Sequence, residues 1–348
     1  MPPGHREASY TTTSPATPEA SAMPSKACPR PGGLLPLSAR LFLAVALLPW
    51  SALGAAEPAA RPPFELHADD RVVLLGDAII EREGERGAIE TGLVATHPGA
   101  NLTFRNLGWS GDTVWAESRG VFDAPSAGYA RLLELVYSLR PTVVIVAYGR
   151  NESFAGVAGL APFRAQLGRL CRDLRGPPGE AGNDEPTRLL LVTPPPFEAT
   201  PPLSAAAAAT RNAALADYAA AIRAVALEQG AGIVDLFGAV EASLPAGARL
   251  TENGVHLSDA GYDAAAAVFA AACGHSLSGD FAGRTAAIRS AVNEKNRLFF
   301  HRWRPANETY LFLFRRHEQG NNAVEIPQFD PLVDAAEAKV RSLAQESP

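Results

Sequence analysis

The chain has 348 residues, of which 47% are hydrophobic and 20% charged, a composition that is ordinary for a globular protein. Its 31 basic and 37 acidic residues give a formal net charge of −6, without a local cluster of Lys or Arg. Nucleic-acid binding needs a basic face, so the composition argues against it. No Cys/His spacing is typical of a zinc site, and we expect neither a metal nor a cofactor.

Residues 1–56 are predicted to be a leader that ends in a signal peptide. Arg40 precedes an apolar run at 41–48, and small residues follow that run. This order is typical of a secretory signal, and the run is short for a membrane span. An uncleaved anchor helix is the alternative, and Met1 or Met23 can be the start. We expect an exported protein, periplasmic or extracellular, without a stable membrane span after cleavage.

Residues 57–69 are interpreted as a linker and residues 70–280 as one domain. In this domain, short apolar runs rich in β-branched residues alternate with helical patterns. Uninterrupted apolar runs indicate strands covered on both faces, as in a parallel sheet. The sequence therefore predicts a three-layer α/β/α sandwich around a five-stranded parallel sheet. The predicted strands are 71–75, 102–106, 142–147, 188–193 and 232–236.

The predicted helices lie between these strands and after the last one. Ser258 is the expected N-cap of the last helix. A segment rich in Gly, Pro and acidic residues at 176–186 is predicted to be a solvated loop. The predicted helices are 85–96, 129–139, 160–174, 205–229 and 258–273.

Residues 281–348 are predicted to be an aromatic and helical extension packed on the core. Dense aromatic residues need burial, and a last helix is expected at about 331–345. The extension either lines or covers the functional site or simply covers the surface, and we favour surface cover. Its aromatic residues are Phe299, Phe300, Trp303, Tyr310, Phe312 and Phe314.

The two cysteines outside the leader allow two interpretations. Cys171 and Cys273 can pair in an exported protein. Both lie in apolar helical patterns, so buried thiols are the alternative.

Four polar blocks follow one another, three of them after predicted strands and the fourth before the last helix. Ligands bind at the carboxyl ends of the strands in open parallel sheets, so the blocks are expected to meet there. We therefore predict that Gly76, Gly108, Asn151 and His256 converge on one cleft. The blocks are Gly76-Asp77-Ala78, Gly108-Trp109-Ser110-Gly111-Asp112, Gly149-Arg150-Asn151-Glu152 and Asn253-Gly254-Val255-His256.

This ordered set resembles the SGNH, or GDSL-type, hydrolases over about residues 70–275. The resemblance implies an ester-hydrolase scaffold with a flavodoxin-like sheet. In that family the first block carries the serine nucleophile, where this chain has Ala78. His256 matches the general base, and Asn253 stands where the family has the aspartate that orients it.

The resemblance also implies three donors for an oxyanion. They are the backbone N–H groups of Ala78 and Gly108 and the side-chain amide of Asn151, with Asp77 beside them as a turn residue. Without a serine hydroxyl there is no acyl-enzyme, and an Asn in place of the Asp holds the imidazole in the wrong tautomer.

Other groups in these blocks are candidates to replace the missing serine. Asp77, Ser110 and Ser153 are the candidate nucleophiles. His256 is a candidate for direct activation of water, with Glu252 as its orienting carboxylate. Solvated or helix-capping roles are expected for Asp112 and Glu152. No metal-ligand spacing connects the remaining candidates, His301, Glu308 and His317.

Three functions remain open at this stage. The first is a secreted SGNH-type protein that, if active, hydrolyses an O-acyl ester of a carbohydrate or small lipid by an altered mechanism. The second is a non-catalytic protein that binds a small ligand or glycan in the retained oxyanion pocket. The third is a scaffold that uses its aromatic extension. Ala78 favours binding over serine catalysis, while the oxyanion donors separate the first two functions from the third.

Overall fold

The structure is a computed structural model that describes residues 62–176, 185–277 and 279–346. These residues belong to one compact unit. The predicted leader and signal peptide lie outside the described residues, as does most of the predicted loop at 176–186. In the described ranges, no helix is long and apolar enough to cross a membrane.

The described residues form a five-stranded parallel sheet with the order β2-β1-β3-β4-β5. This is the flavodoxin-like order, and it confirms the predicted sheet. The central strand β1 pairs with β2 on one side and β3 on the other, so that Val72 lies opposite Phe104 and Val143. The strands are β1 (Arg71–Gly76), β2 (Thr103–Asn106), β3 (Val143–Ala147), β4 (Arg188–Thr193) and β5 (Gly232–Asp235).

Helices cover both faces of the sheet. Val72 and Leu74 of β1 belong to one hydrophobic core, whereas Val73 and Leu75 belong to another. Successive residues of a strand point to opposite faces, so β1 is buried on both sides as predicted. The α-helices of the described ranges are α1 (Ala78–Arg86), α2 (Ala88–Thr96), α3 (Pro125–Ser138), α4 (Gly156–Arg175), α5 (Ala205–Glu228), α6 (Leu236–Ala239), α7 (Asp259–Ala272), α8 (Phe281–Arg284), α9 (Ala286–Trp303), α10 (Glu308–Leu311), α11 (Arg316–Gln319) and α12 (Phe329–Glu346).

The first predicted helix, 85–96, is wrong in its start and in its continuity. Two helices, α1 and α2, occupy the region from Ala78 to Thr96. Gly87 separates them with a φ of 61°, a left-handed conformation that glycine adopts readily. Asp77 is the N-cap of α1, and an aspartate at this place in the sequence is a recognised signal for the start of a helix.

The two cysteines are free in the structure. Both are buried, Cys171 in one core and Cys273 in the core on the other face of the sheet. The sheet therefore separates them, and the disulfide interpretation is wrong. Burial raises the pKa of both thiols, as expected for inert core cysteines.

The C-terminal extension packs on the core through α9. Ile288 and Val292 of this helix are buried in the same core as β1 residues. Lys295 of α9 is fully buried, and its Nζ donates to Glu90 Oε1 at 2.6 Å. The aromatic residues are less buried than expected, since Phe314 is 65% exposed. The apolar residues of α9 and a buried ion pair, rather than the aromatic cluster alone, thus hold the extension.

Candidate functional site

The candidate site begins where β1 passes into α1. A side chain at Gly76 has no room, because a Cβ there would lie 2.5 Å from the carbonyl oxygen of Ala147. Asp77 is the N-cap of α1, and its Oδ1 accepts a hydrogen bond from Ile79 N at 3.1 Å. Ala78 is then the first helical residue, whose N–H has no acceptor inside the helix. The turn therefore presents the Ala78 N–H at the positive end of the helix dipole.

A cleft of about 70 Å³ lies beside this turn. Asp77, Ala78, Asn151 and His256 all line it, so three of the four sequence blocks meet there. Sequence reasoning gave no role to the other lining residues, which come from α1, from α7 and from the loops that follow β3, follow β4 and precede α7. Those residues are Ile79, Arg82, Arg150, Pro195, Val255, Leu257 and Tyr262.

The cleft has no residue of the C-terminal extension among its described lining residues. The extension therefore does not line this cleft. Surface cover, the favoured alternative, agrees with this position.

Gly108 does not line the cleft. Its N–H donates to Asn106 Oδ1 at 2.8 Å, and a Cβ at Gly108 would lie 2.1 Å from Glu81 N of α1. Gly108 instead lines a separate cavity. The predicted convergence of Gly108 with Asn151 and His256 is therefore corrected: the neighbouring Asn106 side chain occupies the N–H that the family resemblance assigned to an oxyanion.

The side-chain amide of Asn151 makes one hydrogen bond within the protein and keeps its second N–H free. Its Nδ2 donates to the carbonyl oxygen of Asp112 at 2.7 Å. A side-chain amide carries two N–H donors, so the second remains for a ligand in the cleft. Asn151 and the N–H of Ala78 are thus the two predicted oxyanion donors that line the cleft.

The side chain of Asn253 sets the state of His256. Its Oδ1 accepts hydrogen bonds from the backbone N–H groups of Val255 at 3.2 Å and His256 at 3.0 Å. These two donors identify the oxygen, so the amide nitrogen faces His256 Nδ1, at 3.1 Å. An amide nitrogen can only donate, and Nδ1 must therefore accept. The proton of the neutral imidazole then resides on Nε2.

This tautomer is the reverse of the one that a general base needs. Burial lowers the pKa of His256, and the charges of Arg82 and Arg150 lower it further, so the ring is neutral at pH 7. A base takes the proton of its substrate on a free nitrogen lone pair. In this cleft Nε2 carries a hydrogen, and His256 acts as a hydrogen-bond donor.

Glu252 does not take over the role of an orienting carboxylate. Its two oxygens pair with Arg82 Nη2 at 2.7 Å and Arg86 Nη2 at 2.5 Å. It raises the pKa of His256 only as a nearby charge. The hypothesis that Glu252 orients His256 for water activation is therefore not supported by the contacts.

The two candidate serines do not line the cleft either. Ser110 is exposed, and its backbone N–H donates to Glu81 Oε2 at 2.6 Å. Ser153 is buried, and its hydroxyl donates to the carbonyl oxygen of Arg150 at 2.7 Å. Among the described lining residues, Tyr262 has the only hydroxyl, and it donates to the carbonyl oxygen of Ile79 at 2.9 Å.

The acids Asp112 and Glu152 are buried, which corrects the expectation that they are solvated or cap helices. Asp112 Oδ2 accepts hydrogen bonds from Arg119 Nε and Tyr148 Oη, both at 2.7 Å. Glu152 accepts the backbone N–H groups of Val114 and Gly149, each at 2.8 Å. Both side chains hold the loops around the cleft in place.

One buried cation faces one buried acid in the cleft. Arg150 is 7% exposed, donates to the carbonyl oxygens of Val255 and Pro195, and has no salt bridge among the described residues. Burial raises the pKa of Asp77 to about 6, and Arg150 lowers it. The cleft therefore gains positive character as Asp77 takes up a proton.

No group of three or more His, Cys, Asp or Glu side chains could hold a metal ion in the parts of the chain that the structure describes.

Residues 74–264 match the model of the GDSL-like lipase/acylhydrolase family. The chain belongs to this family. The search of curated proteins found no match.

Solved structures are similar in fold. BT4096, a gut microbial diltiazem-metabolizing enzyme, aligns with a TM-score of 0.57 and 12% identity over 81% of this chain and 97% of its own. Axe2, an acetylxylan esterase from Geobacillus stearothermophilus, aligns with a TM-score of 0.45 and 20% identity over 61% and 97%. The M. smegmatis aryl esterase aligns with a TM-score of 0.43 and 18% identity over 58% and 96%. At such low identities the likeness concerns the fold alone.

The tautomer of His256 is a direct test of the Asn253 contact. Nitrogen NMR of the imidazole should detect hydrogen on Nε2 in the wild type and on Nδ1 in Asn253→Asp, because a carboxylate only accepts. Glu252→Gln is the control, and it should leave hydrogen on Nε2. If the wild type and Asn253→Asp have the same tautomer, Asn253 does not set it.

Burial of Asp77 predicts a pH-dependent effect on stability. The pKa of Asp77 is about 6 in the folded protein, above its ordinary 3.8, so the folded state holds more protons between these values. The wild type should therefore lose stability relative to Asp77→Asn as the pH rises from about 4 to 7, by at most about 3 kcal/mol.

Urea unfolding at several pH values measures this difference. Asn retains the N-cap oxygen, so the cap itself should survive the substitution. The control is Asp217→Asn at an exposed position of α5, where little pH-dependent change is expected. A constant difference between wild type and Asp77→Asn over this pH range would rule out the elevated pKa.

Proposed function

We propose that this protein binds an acyl or carboxylate group in the cleft at Ala78 and does not hydrolyse esters through a serine. The observation that carries the proposal is the contact between Asn253 Nδ2 and His256 Nδ1 at 3.1 Å, which makes the former base a donor. Ala78 removes the nucleophile as well. Both changes act against catalysis and leave hydrogen-bond donors in the cleft.

The donors define what the cleft accepts. The N–H of Ala78, the free amide hydrogen of Asn151 and Nε2–H of His256 all require an oxygen acceptor from the ligand. A carbonyl or carboxylate oxygen supplies that acceptor, and buried Arg150 favours a negatively charged ligand when Asp77 is protonated, below about pH 6. The ligand class that fits is an acylated carbohydrate or another small acyl compound.

The size of the cleft limits the group that enters it. Its volume of about 70 Å³ is well below the roughly 300–1,000 Å³ of drug-sized ligand sites. An acetyl or similar short acyl group suits this space, and the remainder of the ligand lies outside. Long lipid acyl chains do not suit it.

Hydrolysis without a serine is the second candidate, and Asp77 favours it. This residue lines the cleft, and its pKa of about 6 suits a group that takes a proton from water. The Ala78 N–H and Asn151 would then stabilise the oxyanion. Residual catalysis of this kind is expected to stay within about 10³–10⁴ over water, as when a triad is lost but its donors remain.

Export is part of the proposal. The signal-like pattern at 41–56 supports it, and these residues lie outside the described ranges. A periplasmic or extracellular ligand of the acylated-carbohydrate class agrees with such a location.

Binding of an acetyl group by the wild type tests the proposal. Calorimetry should detect an acetylated monosaccharide, while the deacetylated sugar should bind at least about tenfold more weakly. Asn151→Ala should weaken the acetylated ligand by at least about tenfold, since it removes a donor in the cleft. The exposed Asn322→Ala is the matched control. Equal binding of both sugars would refute acyl recognition.

Restoring the two family residues should create an esterase. Asp in place of Asn253 keeps an oxygen for the two backbone N–H groups and offers the other to Nδ1–H of His256. Ala78→Ser supplies the nucleophile. The double variant should exceed Ala78→Ser by about 10²–10⁴ in kcat/KM on a short-chain ester, because triad members act as a unit.

The wild type and Asn253→Asp are the controls in this assay. Neither should hydrolyse activated aryl esters appreciably or label with a fluorophosphonate, because both lack the serine. Stoichiometric labelling of any serine in the wild type would show that a nucleophile exists elsewhere. A folded double variant at background activity would show that the donors of the cleft do not form a working oxyanion hole.

A further inference from the structure

One wall of the cleft continues outward into a pair of phenylalanines in edge-to-face contact. Arg150 lines the cleft, and its guanidinium lies 4.9 Å from the centre of the Phe197 ring. The ring of Phe154 meets Phe197 edge to face, with 6.2 Å between the two ring centres. Phe197 is 3% exposed, whereas Phe154 is 61% exposed. The aromatic pair therefore leads from the buried wall of the cleft to the protein surface.

Two segments of the chain place this pair beside the cleft. Phe154 lies in the short helical segment Glu152–Ala155, which directly follows Asn151, and Phe197 lies two residues after Pro195. Asn151 and Pro195 both line the cleft. A ligand that extends out of the cleft on this side therefore passes the exposed ring of Phe154.

A guanidinium without an ion pair lies against the same two rings. Arg211 of α5 is partly exposed, and its guanidinium lies 4.6 Å from the centre of Phe154 and 5.8 Å from that of Phe197. It makes neither a hydrogen bond nor an ion pair with the described residues. None of its nitrogens is shielded from solvent, so its N–H groups remain accessible to a ligand.

The residue next to Arg211 fixes the position of this guanidinium relative to the cleft. Asn212 Oδ1 accepts a hydrogen bond from Phe197 N at 2.7 Å, and Asn212 Nδ2 donates to the carbonyl oxygen of Phe197 at 2.8 Å. These two bonds join α5 to the loop that follows β4. A donor that is already held in place binds a ligand at a lower cost in entropy.

We infer that Phe154 and Arg211, together called the rim site, bind a carboxylate on the ligand whose acyl group occupies the cleft. The inference rests on the proposed function, and it names the ligand class as an acylated acidic sugar, such as an O-acetylated uronic acid. The guanidinium of Arg211 donates two parallel N–H···O bonds to the carboxylate. The C–H groups of the sugar ring pack on the exposed part of Phe154.

Arg150 does not take this role at neutral pH. It lines the cleft together with Asp77, and burial raises the pKa of Asp77 to about 6. Above this pH the carboxylate of Asp77 offsets the charge of Arg150. Arg211 has no ion pair among the described residues, so its charge remains available. A preference for an acidic sugar at pH 7.5 therefore measures the contribution of Arg211.

Three sugars test the inference on the full chain at pH 7.5 and low salt. Calorimetry should detect O-acetylated glucuronic acid with an affinity at least about tenfold above that of O-acetylated glucose, because only the acid pairs with Arg211. Added salt should reduce this difference. Equal affinity of the two acetylated sugars would overturn the inference and leave acyl binding in place. Equal affinity of glucuronic acid and its acetylated form would refute acyl recognition, and with it the inference.

Substitution of Arg211 locates the carboxylate. Arg211→Gln removes a partly exposed charge that makes no polar contact with the described residues, so the variant should fold. It should abolish the preference for the acetylated acid over acetylated glucose. Arg172→Gln, at an exposed position of α4, is the matched control and should keep the preference. A preference that persists in Arg211→Gln would place the carboxylate at Arg150 and overturn the inference.

Substitution of Phe154 tests the aromatic part of the rim site. Phe154→Ala removes the ring that holds the guanidinium and should reduce the preference severalfold. Phe314→Ala is the matched control, because Phe314 is 65% exposed and belongs to the C-terminal extension. An unchanged preference in Phe154→Ala would overturn the rim site as defined.

Discussion

The turn from β1 into α1 is the constraint on which the cleft depends. Because β1 is paired on both sides, Gly76 is packed against the backbone of β3, and only a residue without a Cβ fits there. Asp77 then caps α1 although its burial raises its pKa to about 6. Burial makes ionisation of Asp77 unfavourable. The same residue caps α1 and so positions the N–H of Ala78.

The departures from the family pattern change the chemistry of this site more than its geometry. Asn253 still accepts the two backbone N–H groups of Val255 and His256, which an aspartate oxygen would also accept. The loop can therefore keep its shape while the atom that faces Nδ1 changes from acceptor to donor. Glu252 is held by Arg82 and Arg86, so a neighbouring carboxylate does not compensate.

The sheet could be predicted from the sequence because its information is local. Each strand is an uninterrupted apolar run, and the structure starts and ends β4 at the predicted residues 188 and 193. The first residues of the helices were predicted less accurately than the bounds of the strands. Helix α3 begins at Pro125, four residues before its prediction, although proline in the first turn is a recognised start signal.

Only those lining residues of the cleft to which the family motifs assign a role could be predicted from the sequence. Ala78, Asn151 and His256 fall into this class, and the structure brings them together. Arg150 was quoted in a motif but given no role, because its contacts with Val255 and Pro195 join segments distant in sequence. The hydrogen bond from the Gly108 N–H to Asn106 Oδ1 was not predicted either, because the family motif assigns that N–H to an oxyanion.

Helix α1 is the element that the cleft and the separate cavity at Gly108 share. Residues Ala78 and Arg82 face the cleft, whereas Gly84 and Glu85 face the cavity. Coupling between them would require this helix to move, and coupling is reciprocal.

Two buried contacts oppose such a movement of α1. Tyr262 Oη donates to the carbonyl oxygen of Ile79 at 2.9 Å, and Asn106 Nδ2 donates to that of Ile80 at 2.7 Å. They hold the first turn from the direction of α7 and from that of β2. Because the first turn carries the N–H of Ala78, these two contacts also fix the position of that donor. The end of α1 that borders the cleft is therefore held from two directions.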